Sequence, residues 1–308
     1  MTGTAIEVQG LTKSFGDLVA VKGIDLRVPE GEIFGFLGPN GSGKTTTIRM
    51  ISGLLTPDSG HGTCLGYDIV TESAQIKRRV GYMTQRFSLY RDLSIRENLE
   101  FVARLYGVAR PREAVRAAVE RLGLEERGDQ LAGNLSGGWQ QRLALSASII
   151  HEPRLLLLDE PTAGVDPQAR REFWDHIHHL AADGITVLVS THYMDEAERC
   201  HEIAYIFSGE LLVRGTAEEV VARSGLTTWI VTGPGLQDLS DRLADSPGVD
   251  MVAPFGANLH VSGRDRKRLD ATVAELRAAG KSHKWRRGAP SLEDVFIHLM
   301  QTRTKVAA

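Results

Sequence analysis

The sequence predicts an α/β protein with a smaller α+β domain at its carboxyl end. Two compact apolar runs, at residues 33–37 and 155–158, alternate with segments of helical periodicity. Such runs are typical of strands buried on both faces of a parallel sheet that helices cover. After about residue 222 the elements become shorter and alternate more quickly, which indicates a boundary. We therefore expect one domain over residues 1–222 and a second over residues 223–308.

The first domain is predicted to begin with strands and a helix, with a turn signal at Gly16 and Asp17. From residue 94 to residue 122 apolar side chains recur at helical spacing, and strand-like runs return at 155–158 and 185–189. The earlier elements are strands at 5–8, 23–28 and 33–37, a helix at 45–54 and a strand at 80–83. The candidate core residues of the helical segment are Leu99, Val102, Leu105, Val115, Val119 and Leu122.

The second domain is predicted to have the order βαββαβ followed by a helix, which is typical of a ferredoxin-like unit. Its second and third strands are predicted to form a hairpin with the turn at Gly256. The predicted elements are a strand at 227–232, a helix at 236–244, hairpin strands at 250–254 and 258–262, a helix at 266–278, a strand at 283–287 and a helix at 292–300.

The composition is that of an ordinary globular protein. Of 308 residues, 42% are hydrophobic and 24% are charged, which is enough apolar material for a sizeable core. The net charge of −3 argues against nucleic-acid binding through bulk charge, so no nucleic-acid partner is expected. Cys64 and Cys200 lie far apart in the sequence, which favours free thiols in a reducing cytosol over a disulfide framework or a zinc site.

The sequence also bears on how the protein could reach a membrane. No apolar stretch approaches the length of about 18 residues that a membrane-spanning helix needs. The residues at the amino terminus lack the basic and apolar regions of a secretory signal. We therefore expect that any work at a membrane is done through a partner.

A glycine-rich loop joins the predicted strand at 33–37 to the next helix. It fits the spacing GxxxxGK[ST] in the strand–loop–helix context in which this motif binds phosphates. Glycines let successive N–H groups face one anion, and the helix adds the positive end of its dipole. Lys44 would reach the β- and γ-phosphates, and the Thr45 hydroxyl would ligate Mg²⁺. The predicted binding residues are Gly38, Pro39, Asn40, Gly41, Ser42, Gly43, Lys44, Thr45 and Thr46.

Two carboxylates follow the leucines of the run at 155–158. Asp159 would stand at the end of a buried strand, where it is suited to hold Mg²⁺ through water. Glu160, the next residue, would accept a proton from the attacking water. An apolar run that ends in Asp-Glu is also common at ordinary strand ends, so this interpretation depends on the phosphate loop.

Over about residues 5–222 the sequence resembles the ATP-binding-cassette ATPases. Besides the two motifs above, residues 135–142 read LSGGWQQR and resemble the family signature LSGGQ, with Trp139 where glutamine is usual. The resemblance implies a P-loop NTPase cassette with a mixed sheet, antiparallel strands at the amino terminus and an inserted helical subdomain over about residues 86–152. It also implies that Ser136, Gly137 and Gly138 face the γ-phosphate held by a second subunit, in a homodimer closed around ATP. Ser-Gly-Gly alone is also an ordinary helix start.

Weaker matches surround these motifs in the order that the family has them. The resemblance implies that Gln85 senses Mg²⁺ and the attacking water, and that His192 contacts the γ-phosphate. It implies that Phe15 stacks on adenine and that residues 163–166 cross the dimer interface. The predicted catalytic residues are therefore Glu160, His192 and Gln85, and the predicted Mg²⁺ ligands are Thr45, Gln85 and Asp159.

The resemblance implies an ATP-hydrolysing subunit that powers export through a separate membrane permease. Residues 191–198 and 291–296 resemble the bacterial drug-exporter subgroup, so the protein would lie on the inner face of the cell membrane. In the family, the segment after Gln85, which begins at Arg86, receives a helix of the permease, although internal packing also explains its apolar residues. Ser291 and Asp294 also resemble a capping box that only starts a helix.

Two other classes of protein remain as alternatives. A soluble ATPase of the same family could act on ribosomes or DNA, although the chain has a single cassette and no sustained heptads. A kinase or GTPase-like switch leaves the Ser-Gly-Gly motif and His192 without a function. The sequence predicts neither the transported substrate nor the role of the second domain.

Overall fold

The computed structural model describes residues 3–280 and 282–307. The chain divides into two compact units, Met1–Leu211 and Leu212–Ala308. This division lies before the boundary predicted at residue 222, which falls within a helix of the second unit.

The strands from β1 to β10, the last of which crosses the boundary between the units, form two sheets. They are β1 (Thr4–Phe15), β2 (Leu18–Pro29), β3 (Ile33–Leu37), β4 (Ser59–Cys64), β5 (Tyr67–Asp68), β6 (Val80–Met83), β7 (Leu155–Asp159), β8 (Thr186–Thr191), β9 (Glu202–Phe207) and β10 (Glu210–Gly215). One sheet has the order β2-β1-β4-β5, and its strands pair antiparallel. The other has the order β10-β9-β3-β8-β7-β6, and the pairs from β9 to β6 are parallel.

The central strands of the larger sheet confirm the α/β prediction. Every residue of β3, β7 and β8 is buried, as expected for strands with helices on both faces. Because parallel strands end at the same edge of a sheet, the residues that follow β3, β7 and β8 lie close together. The phosphate loop, Glu160 and His192 follow these three strands directly.

Helices of the first unit connect these strands. They are α1 (Lys44–Ile51), α2 (Ser73–Lys77), α3 (Ile95–Leu105), α4 (Pro111–Arg121), α5 (Gly137–Ile149), α6 (Pro167–Ala182) and α7 (Met194–Ala197). Helices α3, α4 and α5 share an apolar core of their own, to which Leu99, Val115 and Leu143 belong. This core confirms the predicted helical subdomain. Ser94 begins α3 with a capping box, in which its hydroxyl accepts from the Glu97 N–H.

The prediction that Leu105 belongs to the core of this subdomain is wrong. Leu105 is 70% exposed, whereas Leu99, Val102, Val115, Val119 and Leu122 are buried. Leu105 is the last residue of α3. It lies about a quarter of a turn from the line through Ile95, Leu99 and Val102, at the edge of the apolar stripe.

The second unit has the predicted ferredoxin-like topology. Its four-stranded antiparallel sheet has the order β12-β13-β11-β14, with one helix between β11 and β12 and another between β13 and β14. Val231, Leu259 and Val261 of the sheet pack against Leu239 and Val273 of these helices. The elements are α8 (Ala217–Ser224), β11 (Thr227–Thr232), α9 (Leu236–Leu243), β12 (Met251–Phe255), β13 (Asn258–Gly263), α10 (Arg266–Ala279), β14 (Lys284–Gly288) and α11 (Leu292–Ala307).

Two features bear on the membrane and redox expectations. Among residues 3–280 and 282–307, the helices are too short or too polar to cross a membrane. Cys64 and Cys200 are free thiols. Burial raises the pKa of Cys64 to about 12, and it also raises the pKa of Cys200. Neither thiol therefore forms the reactive thiolate near neutral pH.

Candidate ATP-binding and hydrolysis site

The phosphate loop connects β3 to α1 through a backbone that depends on glycine. Gly43 has φ 105° and Gly41 has φ 77°, a region that other residues rarely adopt. A Cβ atom on Gly43 would lie 2.5 Å from the Ala20 carbonyl oxygen, and one on Gly38 would lie 2.2 Å from the Ile206 carbonyl oxygen. The loop is therefore held against β2 and β9, with the first N–H groups of α1 available to an anion.

Lys44 is buried at the start of α1, and its ammonium group has three close partners. Nζ donates to the carbonyl oxygens of Gly38 at 2.7 Å and Pro39 at 3.0 Å. It also lies 3.0 Å from Glu160 Oε1. The two buried charges compensate each other, since an unpaired charge in this place would be strongly destabilising. In the same loop, Ser42 Oγ is buried with no hydrogen-bond partner among the described residues, which suits a loop that receives phosphate oxygens.

The predicted Mg²⁺ ligands Thr45 and Asp159 are in contact. Thr45 Oγ1 donates to Asp159 Oδ1 at 3.0 Å, and Ser190 Oγ donates to the same oxygen at 2.7 Å. A hydroxyl and a carboxylate beside a phosphate loop are the oxygen donors that Mg²⁺ prefers, with phosphates and water completing its shell. The residues present therefore fit this ion.

Glu160 is the centre of the site. Its carboxylate is buried, and Oε2 accepts from Gln85 Nε2 at 3.0 Å. His192 Nδ1 lies 3.3 Å from the same oxygen. The structure thus brings the three predicted catalytic residues together around one carboxylate. Glu160 also has φ 46°, an unusual value for a residue other than glycine, and its N–H donates to Ser190 Oγ at 2.9 Å.

A cavity of about 490 Å³ adjoins this cluster. Phe15 lies at its rim, 52% exposed. An exposed ring at the mouth of a phosphate pocket is suited to stack on a base. The cavity is lined by Phe15, Leu18, Ala20, Asn40, Gly41, Gly43, Lys44, Thr45, Thr46, Gln85 and Glu160.

We expect Phe15→Ala to weaken ATP binding by about 1 kcal/mol or more, the scale of a lost base–aromatic stack. Equilibrium titration with ATP measures this effect, with Phe15→Trp as the matched control that keeps an aromatic ring. An unchanged dissociation constant in Phe15→Ala would mean that another residue holds the base.

The signature residues lie in a different pocket. Ser136 stands at the start of α5, and a Cβ atom on Gly138 would lie 2.8 Å from the Ala169 side chain of α6. Their cavity, of about 570 Å³, is lined by Ser136, Gly138, Trp139, Arg142, Asp166, Gln168, Ala169 and Glu172. It has no lining residue in common with the cavity around Lys44. The structure therefore does not bring the signature and the phosphate loop into one pocket within the chain.

Trp139 contacts both the helical core and two cations. It packs partly buried against the core of α3, α4 and α5. The guanidinium groups of Arg142 and Arg127 lie 4.7 Å and 5.4 Å from its ring centroid. Arg142 also forms an ion pair with Glu172 of α6. These contacts indicate a packing role for Trp139.

We expect Trp139→Gln to lower the free energy of unfolding by about 2 kcal/mol, from lost apolar burial and cation–π contacts. ATPase activity should stay within a few-fold. Denaturant unfolding and steady-state hydrolysis measure the two effects, and Trp139→Phe is the control that keeps a ring. An unchanged unfolding free energy together with lost activity would instead make position 139 part of the catalytic contact.

The segments that follow Gln85 and Glu160 have separate structural roles. Phe87 and Leu89 pack against the helical core, so internal packing accounts for these two apolar residues of the segment after Gln85. Tyr90 of the same segment is exposed. At the end of the segment 163–166, Asp166 Oδ1 accepts from the backbone N–H groups of Gln168 and Ala169. Asp166 is therefore the N-cap of α6.

Sequence reasoning missed several residues that support the site. Ser190 bonds to Asp159 and to the backbone of Glu160. Glu196, Thr162 and Thr191 form a buried group beside it. The sequence signals for these residues are that Ser190 and Thr191 directly precede His192 at the end of a strand, and that Thr191 and Glu196 lie in the stretch 191–198.

The loop, its buried lysine and the Asp-Glu pair at the end of β7 define a P-loop nucleotide-binding protein. The family model described as ABC transporter matches residues 21–163. The chain is 37% identical to the daunorubicin resistance ATP-binding protein DrrA3 of Streptomyces coeruleorubidus, over 100% of both chains. The chain therefore belongs to the ABC transporter family, as an ATP-binding-cassette ATPase.

Two further comparisons each match about 70% of this chain. The chain is 45% identical over 223 residues to the probable multidrug ABC transporter ATP-binding protein YbhF of Escherichia coli, matching 72% of this chain. It spans 39% of that relative's length. Among solved structures, the dimeric post-hydrolysis state of the cassette MJ0796, bound to ADP and Pi, aligns with a TM-score of 0.63 at 26% identity. That alignment covers 68% of this chain and 98% of the other.

Proposed function

We propose that this chain is the ATP-hydrolysing subunit that powers export of a small molecule or lipid through a partner membrane permease. The observation that carries the proposal is the convergence of Lys44, Gln85 and His192 on the Glu160 carboxylate. The names of its relatives, which refer to multidrug transport and daunorubicin resistance, support export as the process. The protein would then act on the cytoplasmic face of the membrane.

Hydrolysis would use the residues around Glu160 as follows. The phosphates of ATP would become the anionic partner of Lys44, and the freed Glu160 carboxylate would accept a proton from the attacking water. Gln85 and His192 would orient that water and the γ-phosphate by hydrogen bonds. Thr45, Asp159 and Gln85 would hold Mg²⁺, which supplies neutralisation of the phosphate charge.

We also propose that two copies of the chain close around ATP as a homodimer. The separate pockets of Lys44 and Ser136 support this proposal, because a helix start with Ser-Gly-Gly suits a phosphate that its own chain does not deliver. ATP would then favour the closed dimer, and hydrolysis would release it.

The permease would bind the helical subdomain. Tyr90, Phe101, Leu105 and Tyr106 are exposed there, and Tyr90 stacks edge-on against Phe101 at a centroid distance of 5.3 Å. The buried amide of Asn98 fixes the segment, since it accepts from Tyr90 N–H and donates to the Tyr90 carbonyl, both at 2.9 Å. An ordered, exposed aromatic surface suits an apolar helix as its partner.

Co-purification tests the proposed partner. A tagged chain is expressed in the organism that encodes it and extracted with mild detergent. An integral membrane protein should then co-purify with it. Phe101→Glu should release that protein, whereas the control Val70→Glu, at another exposed apolar residue of the first unit, should retain it. Retention of ribosomes or DNA with no membrane protein would support a soluble ATPase of the same family instead.

We further propose that residues 1–222 are the ATPase domain and residues 223–308 an accessory domain. The described ATP-site residues all precede Leu211, so a fragment of residues 1–222 should still bind ATP. Loss of the accessory domain should change the lifetime of the dimer. Equilibrium titration and analytical ultracentrifugation with ATP measure the two effects, and a fragment that binds no ATP would contradict this assignment.

A further inference from the structure

A buried carboxylate lies behind the catalytic cluster. Glu196, on the short helix α7, has 0% exposure. Its Oε1 accepts from Thr162 Oγ1, and its Oε2 accepts from Thr191 Oγ1 at 2.6 Å. Thr162 follows Glu160 by two residues, and Thr191 directly precedes His192. Each oxygen of one carboxylate therefore binds a different catalytic segment.

Burial of this charge requires compensation, because an uncompensated carboxylate is costly in a protein interior. The two hydroxyl donors provide part of it. Arg170 of α6 provides more, since its Nε lies 3.7 Å from Glu196 Oε1. An apolar residue of similar size would fill the same space without the free-energy cost of burying a charge.

The carboxylate also fixes the direction of the hydrogen bonds. Because it offers only acceptors, both threonine hydroxyls must donate to it. Thr191 Oγ1 is then left to accept, and it does so from the Tyr193 N–H at 3.0 Å. The centroid of the Tyr193 ring lies 4.1 Å from that of the His192 ring and 4.1 Å from the Arg170 guanidinium carbon. The residues on both sides of His192, Thr191 and Tyr193, are therefore held in place by these contacts.

We propose that Glu196 is a positioning residue, which fastens the segment after Glu160 to the segment that carries His192. It sets the geometry of the two catalytic groups and has no contact with either of their side chains among the described interactions. The inference rests on the proposed hydrolytic role of Glu160 and His192. Loosening this connection should slow hydrolysis and leave nucleotide binding, which depends on the loop around Lys44, almost unchanged.

Steady-state kinetics of the full-length chain test the proposal. Glu196→Gln keeps the shape but replaces one carboxylate oxygen by an NH₂ donor, so one threonine bond must reverse its direction and both bonds lose their charge assistance. We expect kcat to fall by about 10- to 100-fold, as for other losses of support to catalytic groups. The KM for ATP and the ATP dissociation constant should change by less than about two-fold. Glu198→Gln, an exposed glutamate two residues further on, is the matched control and should match the wild type.

A second pair of variants guards against a folding defect at position 196. Thr162→Val removes one hydroxyl at nearly constant volume and should lower kcat in the same way, whereas Thr162→Ser should retain most of it. Unchanged kcat in Glu196→Gln and Thr162→Val would overturn the inference while leaving the proposed function intact. A fall in kcat, ATP affinity and melting temperature together would assign Glu196 a structural role only. A wild type without turnover would contradict both the proposed function and this inference.

Discussion

Glu160→Gln should bind ATP normally and hydrolyse it about 10²- to 10⁴-fold more slowly, the usual consequence of losing a general base. The amide keeps an oxygen that can accept from Gln85 Nε2, which is now 3.0 Å from Glu160 Oε2. The position of the side chain should therefore be retained while its basicity is lost. Because hydrolysis would release the closed dimer, the variant should also accumulate as an ATP-bound dimer.

Single-turnover hydrolysis and size-exclusion chromatography with ATP measure these two effects. Glu120→Gln, at an exposed residue of α4, is the matched control for the change of charge and should behave as the wild type. Wild-type turnover in Glu160→Gln would reject Glu160 as the base. Slow turnover without a trapped dimer would instead contradict the homodimer closed by ATP.

The elements that the sequence predicted best are those whose signal is local. The apolar runs of β3, β7 and β8 and the βαββαβ order of the second unit are visible within short windows. Strand β4, by contrast, reads SGHGTC and has neither alternation nor β-branched enrichment. It forms because β1 offers its free edge, a tertiary effect that the segment itself does not encode.

The residues of the candidate site likewise differ in whether a local sequence pattern predicts them. The phosphate loop and the pair Asp159-Glu160 could be predicted from residue types alone, since their chemistry depends on near neighbours. Gln85 and His192 were predicted only through resemblance, because contacts with Glu160 join residues distant in the chain. Glu196 lies in the stretch 191–198 that resembles the exporter subgroup, but nothing in the sequence distinguishes this buried glutamate from the solvated one at position 198.

The buried pair of Lys44 and Glu160, with Nζ and Oε1 at 3.0 Å, makes Lys44→Ala the second variant of large expected effect. ATP affinity should fall by about 10- to 100-fold, because a hydrogen bond to a charged group contributes about 1.5–3 kcal/mol. The same variant leaves the Glu160 carboxylate without its cation, which typically costs about 3–5 kcal/mol of stability. ATP titration and denaturant unfolding measure the two losses separately.

The double variant Lys44→Ala with Glu160→Gln distinguishes the two causes. Removing both charges should restore much of the unfolding free energy, because the amide does not need a cation in a buried site. ATP affinity should remain low, since the phosphates still lack the ammonium group. Recovery of affinity in the double variant would contradict direct phosphate binding by Lys44, because the loss in the single variant would then come from repulsion between the unpaired Glu160 and the phosphates.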